Sequence, residues 1–150
     1  MVTKIRPFMD NDADLLSALV GKTLTISNCQ DYPEEVLSFM MAYFSPQGLK
    51  KMAKDRSIYV MEEDGRLLGT IARKEDHLLA LYVDPDAQGR GIGKALVDFI
   101  EKDAKDHGIP SLQMDASLTA ETFYRNLGYT GSEKEYDQHF GWAWRLSKTL

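Results

Sequence analysis

At 150 residues the chain is long enough to bury a core of ordinary size as one domain, residues 1–150, with no help from disulfides or metals. Its 43% apolar and 27% charged residues, uninterrupted by low-complexity tracts, exclude disorder beyond the ends. A formal charge of −5 argues against broad nucleic-acid binding, which needs clustered Lys and Arg; it suits cationic partners, and is equally an ordinary solubility feature.

In chain order, Val2 to Arg6 alternates and ends at Pro7, predicting a first strand that turns into a helix start at Asp10 to Asp12 and a helix from Ala13 to about Val20. Cys29, the only cysteine, has no intrachain partner and no CxxC spacing, so it is read as a bystander in a reducing compartment. Pro33, followed by Glu34 and Glu35, predicts a second helix running to Pro46, with Val36, Leu37, Met40, Met41 and Phe44 on its apolar face. Ser57–Glu62, Leu67–Arg73 and His77–Val83 read as an antiparallel meander, the first two joined through Asp64 and Gly65.

After Asp84 and Pro85 comes DAQGRGIGKAL, with Gly89, Gly91 and Gly93 inside five residues. Ile92, Ala95, Leu96, Phe99, Ile100 and Ala104 then repeat at helical spacing as far as His107 and Gly108. Ile109–Met114 reads as a buried strand, Thr119–Leu127 as a short helix closed by Gly128, and Glu133–Phe140 and Ala143–Leu146 as final strands. A strand, a crossover helix and a strand over His77 to Asp115 imply one parallel pair in an otherwise antiparallel sheet. The fold class is α+β.

Glycines ahead of a helix let a ligand approach the unpaired amides of the first turn, where the dipole favours an anion; Arg90 and Lys94 add charge suited to a pyrophosphate. The nucleotide loop GxxxxGK[ST] does not fit, because its first glycine falls on Gln88 and Ala95 follows Lys94. The dinucleotide pattern GxGxxG puts Lys94 or Leu96 where its third glycine belongs.

QxxGxG at Gln88–Gly93, after LYVDP and before an amphipathic helix, resembles the acetyl-CoA loop of the GCN5-related N-acetyltransferase (GNAT) family. The likeness spans nearly the whole chain. It includes ASLTAETFYRNLGY, Ala116–Tyr129, which is similar to the family's later motif in its FY pair, Phe123 and Tyr124, and its LGY ending. The resemblance implies an αβα GNAT-like fold with about four helices and a mostly antiparallel sheet of six to seven strands, whose parallel pair splays at the cofactor.

It further implies a cytoplasmic enzyme that moves the acetyl group of acetyl-CoA directly to a primary amine of a small molecule or peptide. Leu81, Tyr82 and Val83 would take the pantetheine arm as an added strand, and Gln88, Gly89, Arg90, Gly91, Ile92, Gly93 and Lys94 the pyrophosphate. Tyr124 would be the acid that protonates the thiolate. A glutamate serves as base in part of the family; its counterpart here is His77, so base, edge residue, the neighbours Glu75 and Asp76, and water all stay open. Ser117 either contacts the cofactor or caps a turn, and Asn126 either reaches the cofactor or faces solvent.

The acceptor amine would meet Cys29–Tyr32, Met40, Tyr43, Phe44, Tyr136 and His139, with Asp31, Glu34 and Glu35 able to attract a cation. The three histidines lack ligand spacing, so no metal is expected. Neither a signal peptide nor an apolar run of membrane-spanning length is present, and no membrane partner is expected. Family members are often dimers; Trp142 and Trp144 alternate on a strand that has one face for the core and the other free for a subunit contact. The alternative to an enzyme is a non-catalytic acyl-CoA sensor or interaction module.

Overall fold

The computed structural model describes residues 2–28 and 32–150; Cys29 and Asp31 lie outside the described residues. Strand β1 (Thr3–Pro7) leads through a short turn at Asp10–Asp12 into α1 (Ala13–Thr23), which widens into a π turn over Leu24–Asn28. Arg6 holds the turn by donating to both oxygens of Asp12, at 2.8 and 2.9 Å. Then follow α2 (Glu34–Tyr43) and α3 (Pro46–Met52).

The separate α3 departs from the sequence expectation, in which Pro46 stopped a single long helix. Pro46 instead occupies a first-turn position, where its missing N–H costs nothing, and Ser45 Oγ accepts from the Gly48 amide at 3.1 Å. The kink is so tight that a Cβ on Gly48 would collide with the Tyr43 carbonyl.

The meander is β2 (Ser57–Glu63), β3 (Arg66–Lys74) and β4 (His77–Val83). Asp64 and Gly65 both take positive φ, 52° and 81°, as a two-residue hairpin with the twist of its strands requires. Helix α4 (Ile92–Asp106), strand β5 (Ser111–Ser117), helix α5 (Glu121–Asn126) and the hairpin β6 (Thr130–Asp137) and β7 (Gly141–Thr149) complete the chain. Phe140, expected in a strand, sits in the hairpin turn. The sixth strand starts earlier than expected, with a bulge between Thr130 and Glu133 where a Cβ on Gly131 would strike the Arg145 carbonyl.

The seven strands form one sheet, ordered β1-β2-β3-β4-β5-β7-β6, in which β4 and β5 run parallel and the other neighbours antiparallel. Helices α1 to α3 cover one face through Leu16, Val20, Leu24, Val36 and Leu49, and α4 and α5 the other through Leu96, Val97, Ile100 and Tyr124. The chain is therefore an α+β, three-layer GNAT-like fold. Leu67 to Arg73 on β3 are buried without a break, as a central strand covered on both sides must be. Gly69 lets α4 close on the sheet: a Cβ there would come within 3.0 Å of Leu96 and 2.9 Å of the Tyr82 carbonyl.

Candidate active site

Two local features open the sheet. Ala80 adopts φ 49°, and the β3–β4 register slips between Thr70 and Ala72, so β4 carries a bulge at its middle. Beyond it β4 turns away from β5; the two strands share the single pair His77 and Gln113, while β5 stays zipped to β7 from Ser111 to Ser117. Leu81 to Val83 thus keep β3 on one side and have no strand on the other. A cleft of about 860 Å³ fills the gap, running from the glycine turn past Leu81 and Tyr124 to α2 and the β6–β7 hairpin.

At the near end, Gly89 and Gly91 take φ of 81° and 75°, and a Cβ at either would meet nothing within 4 Å. Gly91 is the residue before the helix, and the first intrahelical bond is Ala95 N–H to its carbonyl, at 3.0 Å. The amides of Ile92, Gly93 and Lys94 have no intrahelical partner and stand at the positive end of the α4 dipole. This concave run of donors with no side chains in front can hold a pyrophosphate.

The turn is braced from below. Asp84, 8% exposed, accepts from the Asp86 amide at 2.9 Å, from Lys22 on α1 at 3.0 Å and from Arg66 on β3 at 3.1 Å. Burial pushes its carboxyl up, but these hydrogen bonds outweigh burial and hold it below the usual carboxylate range.

Tyr124 on α5 is 5% exposed and lies edge-on to Phe123 and Tyr129, at 5.3 and 5.8 Å between rings. Burial, helped by nearby Tyr82, pushes its phenol well above the ordinary tyrosine value, so it keeps its proton throughout the neutral range. Phe123 packs over the start of α4, where a Cβ on Gly93 would come within 3.1 Å of its ring. Gly93 is therefore required by packing, Gly89 and Gly91 by backbone conformation.

His77 lines the cleft where β4 and β5 still pair, its Nδ1 3.0 Å from Asp76 Oδ1. Asp76 also accepts from Gln113 Nε2 at 2.9 Å, and that bond, then His77, lowers its carboxyl. Ser117 lines the cleft and its Oγ also accepts from the Ala120 amide at 3.2 Å, so capping and cleft exposure coexist. Leu81, Tyr82, Val83, Gln88, Gly89, Gly91, Ile92, Gly93 and Lys94 all line the cleft.

Two of the expected cofactor residues stand apart from that wall: Arg90 reaches Glu63 at 2.6 Å, and Asn126 is exposed. At the acceptor end, Tyr32, Met40, Tyr43, Phe44 and Tyr136 line the cleft, whereas His139 stacks on Phe39 outside it. Arg56, Glu135, Asp137 and Phe140 also line that end. Sequence reading passed them over: Arg56 arrives from the loop between α3 and β2, and the other three only through the packing of the hairpin beside α2. No cluster of His, Cys, Asp and Glu able to hold a metal occurs among the described residues, and no helix there is long and apolar enough to cross a membrane.

Residues 28–150 match the family model described as an acetyltransferase (GNAT) domain. The chain is 27% identical over 126 residues to the uncharacterized N-acetyltransferase YafP of Escherichia coli (strain K12), spanning 84% of this chain and 80% of that protein. A GCN5-related N-acetyltransferase from Rhodopseudomonas palustris superposes with a TM-score of 0.89 at 26% identity, over 100% of this chain and 99% of that one. PaiA N-acetyltransferase from Thermoplasma acidophilum, solved in complex with coenzyme A, shares the fold at a TM-score of 0.81 and 22% identity over 100% of both chains.

Proposed function

The chain belongs to the GNAT acetyltransferase family and is an acetyl-CoA-dependent N-acetyltransferase; from that premise we propose that it passes the acetyl group directly to a primary amine of a small molecule or peptide. The observation that carries this reading is the continuity of one cleft from the glycine-turn amides, along the unpaired edge Leu81–Val83, to the Tyr124 phenol. A thioester-bearing chain held at one end by its pyrophosphate would lie along that edge, and PaiA, a protein of the same fold, is solved in complex with coenzyme A.

Direct transfer forms one N–C bond and breaks one C–S bond; one proton leaves the amine and one is taken up by sulfur. Tyr124, kept protonated by burial, supplies a hydrogen bond and then the proton to the leaving thiolate. His77, with Asp76 on its Nδ1, is a group on the cleft wall that can accept the amine's proton, directly or through water. Arg90 and Asn126 are given no contact with the cofactor in this reading. The homodimer and the cytoplasmic setting expected from the family belong to the same proposal.

Release of free thiol from acetyl-CoA, followed over a panel of polyamines, aminoglycosides, amino acids, aryl amines and peptide N-termini, tests it. Turnover with one amine class and a saturable dependence on acetyl-CoA is expected. Tight acetyl-CoA binding with no thiol release from any amine would instead favour the acyl-CoA sensor.

A further inference from the structure

The far end of the cleft has a composition that selects among amines, and we propose that the acceptor is a small primary amine with an aromatic body and no carboxylate. This rests on the transferase reading and narrows it. An unbroken run of rings leads from the hairpin tip to the cofactor edge: Phe140 to Tyr43 at 5.4 Å, Tyr43 to Phe44 at 5.1 Å and Phe44 to Tyr82 at 5.3 Å, each met edge to face. Tyr82 lies just past the β4 bulge, so the wall ends where the thioester edge begins. Tyr32 and Tyr136 add to it. Such a wall gains from a flat apolar body and from an ammonium over ring faces; a heavily hydroxylated or extended polyamine body would leave polar groups unpaired against it.

Charge excludes a carboxylate. The cations at this end are already matched: Arg56 donates Nε to Asp55 at 2.9 Å and faces the Tyr43 hydroxyl at 3.5 Å, and Arg145 donates Nε to Asp115 at 2.7 Å. Two further carboxylates of the lining, Asp137 and Glu135, are not matched by cations among the described residues. Asp137 accepts the amides of His139 and Phe140 at 2.7 and 3.1 Å, and Glu135 forms no ion pair among the described residues. An incoming ammonium is drawn in, and an amino acid or C-terminal carboxylate meets repulsion with no cation to receive it.

The outer end of the run is fixed by packing. His139 stacks on Phe39 at 4.3 Å, and Tyr32 packs so closely on Gly141 that a Cβ there would come within 3.0 Å of its ring. These contacts hold the aromatic hairpin tip against α2 at the outer end of the run of rings. The step adds no redox change: acetyl passes from sulfur to the amine nitrogen, giving an N-acetyl arylalkylamine and free CoA thiol.

Matched amines separate the arguments. With the full chain and saturating acetyl-CoA, 2-phenylethylamine should show kcat/KM at least about tenfold above both L-phenylalanine, which adds only a carboxylate, and n-butylamine, which lacks the ring. Phe140→Ala should lower kcat/KM for 2-phenylethylamine about tenfold through KM, leaving the KM of acetyl-CoA unchanged, and Glu135→Lys should narrow its lead over phenylalanine. Equal or faster turnover of phenylalanine, spermidine, kanamycin or a lysine peptide overturns the assignment while the transferase reading stands. Acetyl-CoA binding without thiol release from any amine overturns both.

Discussion

At Gly91 two constraints coincide: φ of 75° and open space where a side chain would go. Their effects can be separated. Gly91→Ala meets only the backbone cost of a left-handed residue, about 1 kcal/mol, because nothing lies in its way. Gly91→Glu adds a carboxylate in front of the amides of Ile92 to Lys94, and calorimetric titration should show acetyl-CoA affinity falling at least about 100-fold, against less than about tenfold for the alanine. Tyr124→Phe removes the phenol and keeps the ring that packs on Phe123 and Tyr129. Steady-state kinetics should find kcat lower by about 100-fold with acetyl-CoA Kd unchanged, and a wild-type kcat would remove its acid role. These residues were legible because a glycine cluster and an FY–LGY ending keep a fixed place in the chain. Glu135 and Phe140 were not, since their approach to the cleft depends on a contact between hairpin and α2 that no local pattern encodes.

Among the elements, the least legible were those set by backbone conformation. Pro46 reads as a helix stop, yet Ser45 before it and Gly48 after it make it a helix start. The β4 bulge sits at an alanine within LLALY, where nothing in the residue types requires φ of 49°. The splay could therefore enter only through family resemblance. Helix α4 was plain from its apolar spacing, and every residue of that stripe named from the sequence except Ala95 and Phe99 is buried. The brace under the glycine turn ties elements together: through Asp84, α1 and β3 hold the loop that precedes α4. The Lys22 and Arg66 side chains are partly exposed and screened, so the backbone bond from the Asp86 amide carries most of the effect. Asp84→Ala should raise the KM of acetyl-CoA about tenfold and lower the melting temperature, whereas Asp98→Asn, which loses only the exposed pair with Lys94, should change neither.

For the whole molecule, acid is the natural stress. Asp12 is held below the usual carboxylate range chiefly by its hydrogen bonds from Arg6, and Asp84 is low through the bonds described above. A carboxyl depressed on folding contributes stability that is present above its unfolded pKa, about 3.9, and is lost as pH falls through the folded value. Stability measured by urea unfolding should hold from neutral pH to about 5 and decline below about 4. Asp12→Asn should cost about 2 kcal/mol at neutral pH and flatten that decline. How the cleft is used is read directly by backbone amide NMR during titration with coenzyme A. The amides of Gly89 to Lys94 and of Leu81 to Val83 should shift together and saturate at one concentration. Saturating shifts confined to other parts of the sheet, with the glycine-turn amides unmoved, would contradict it.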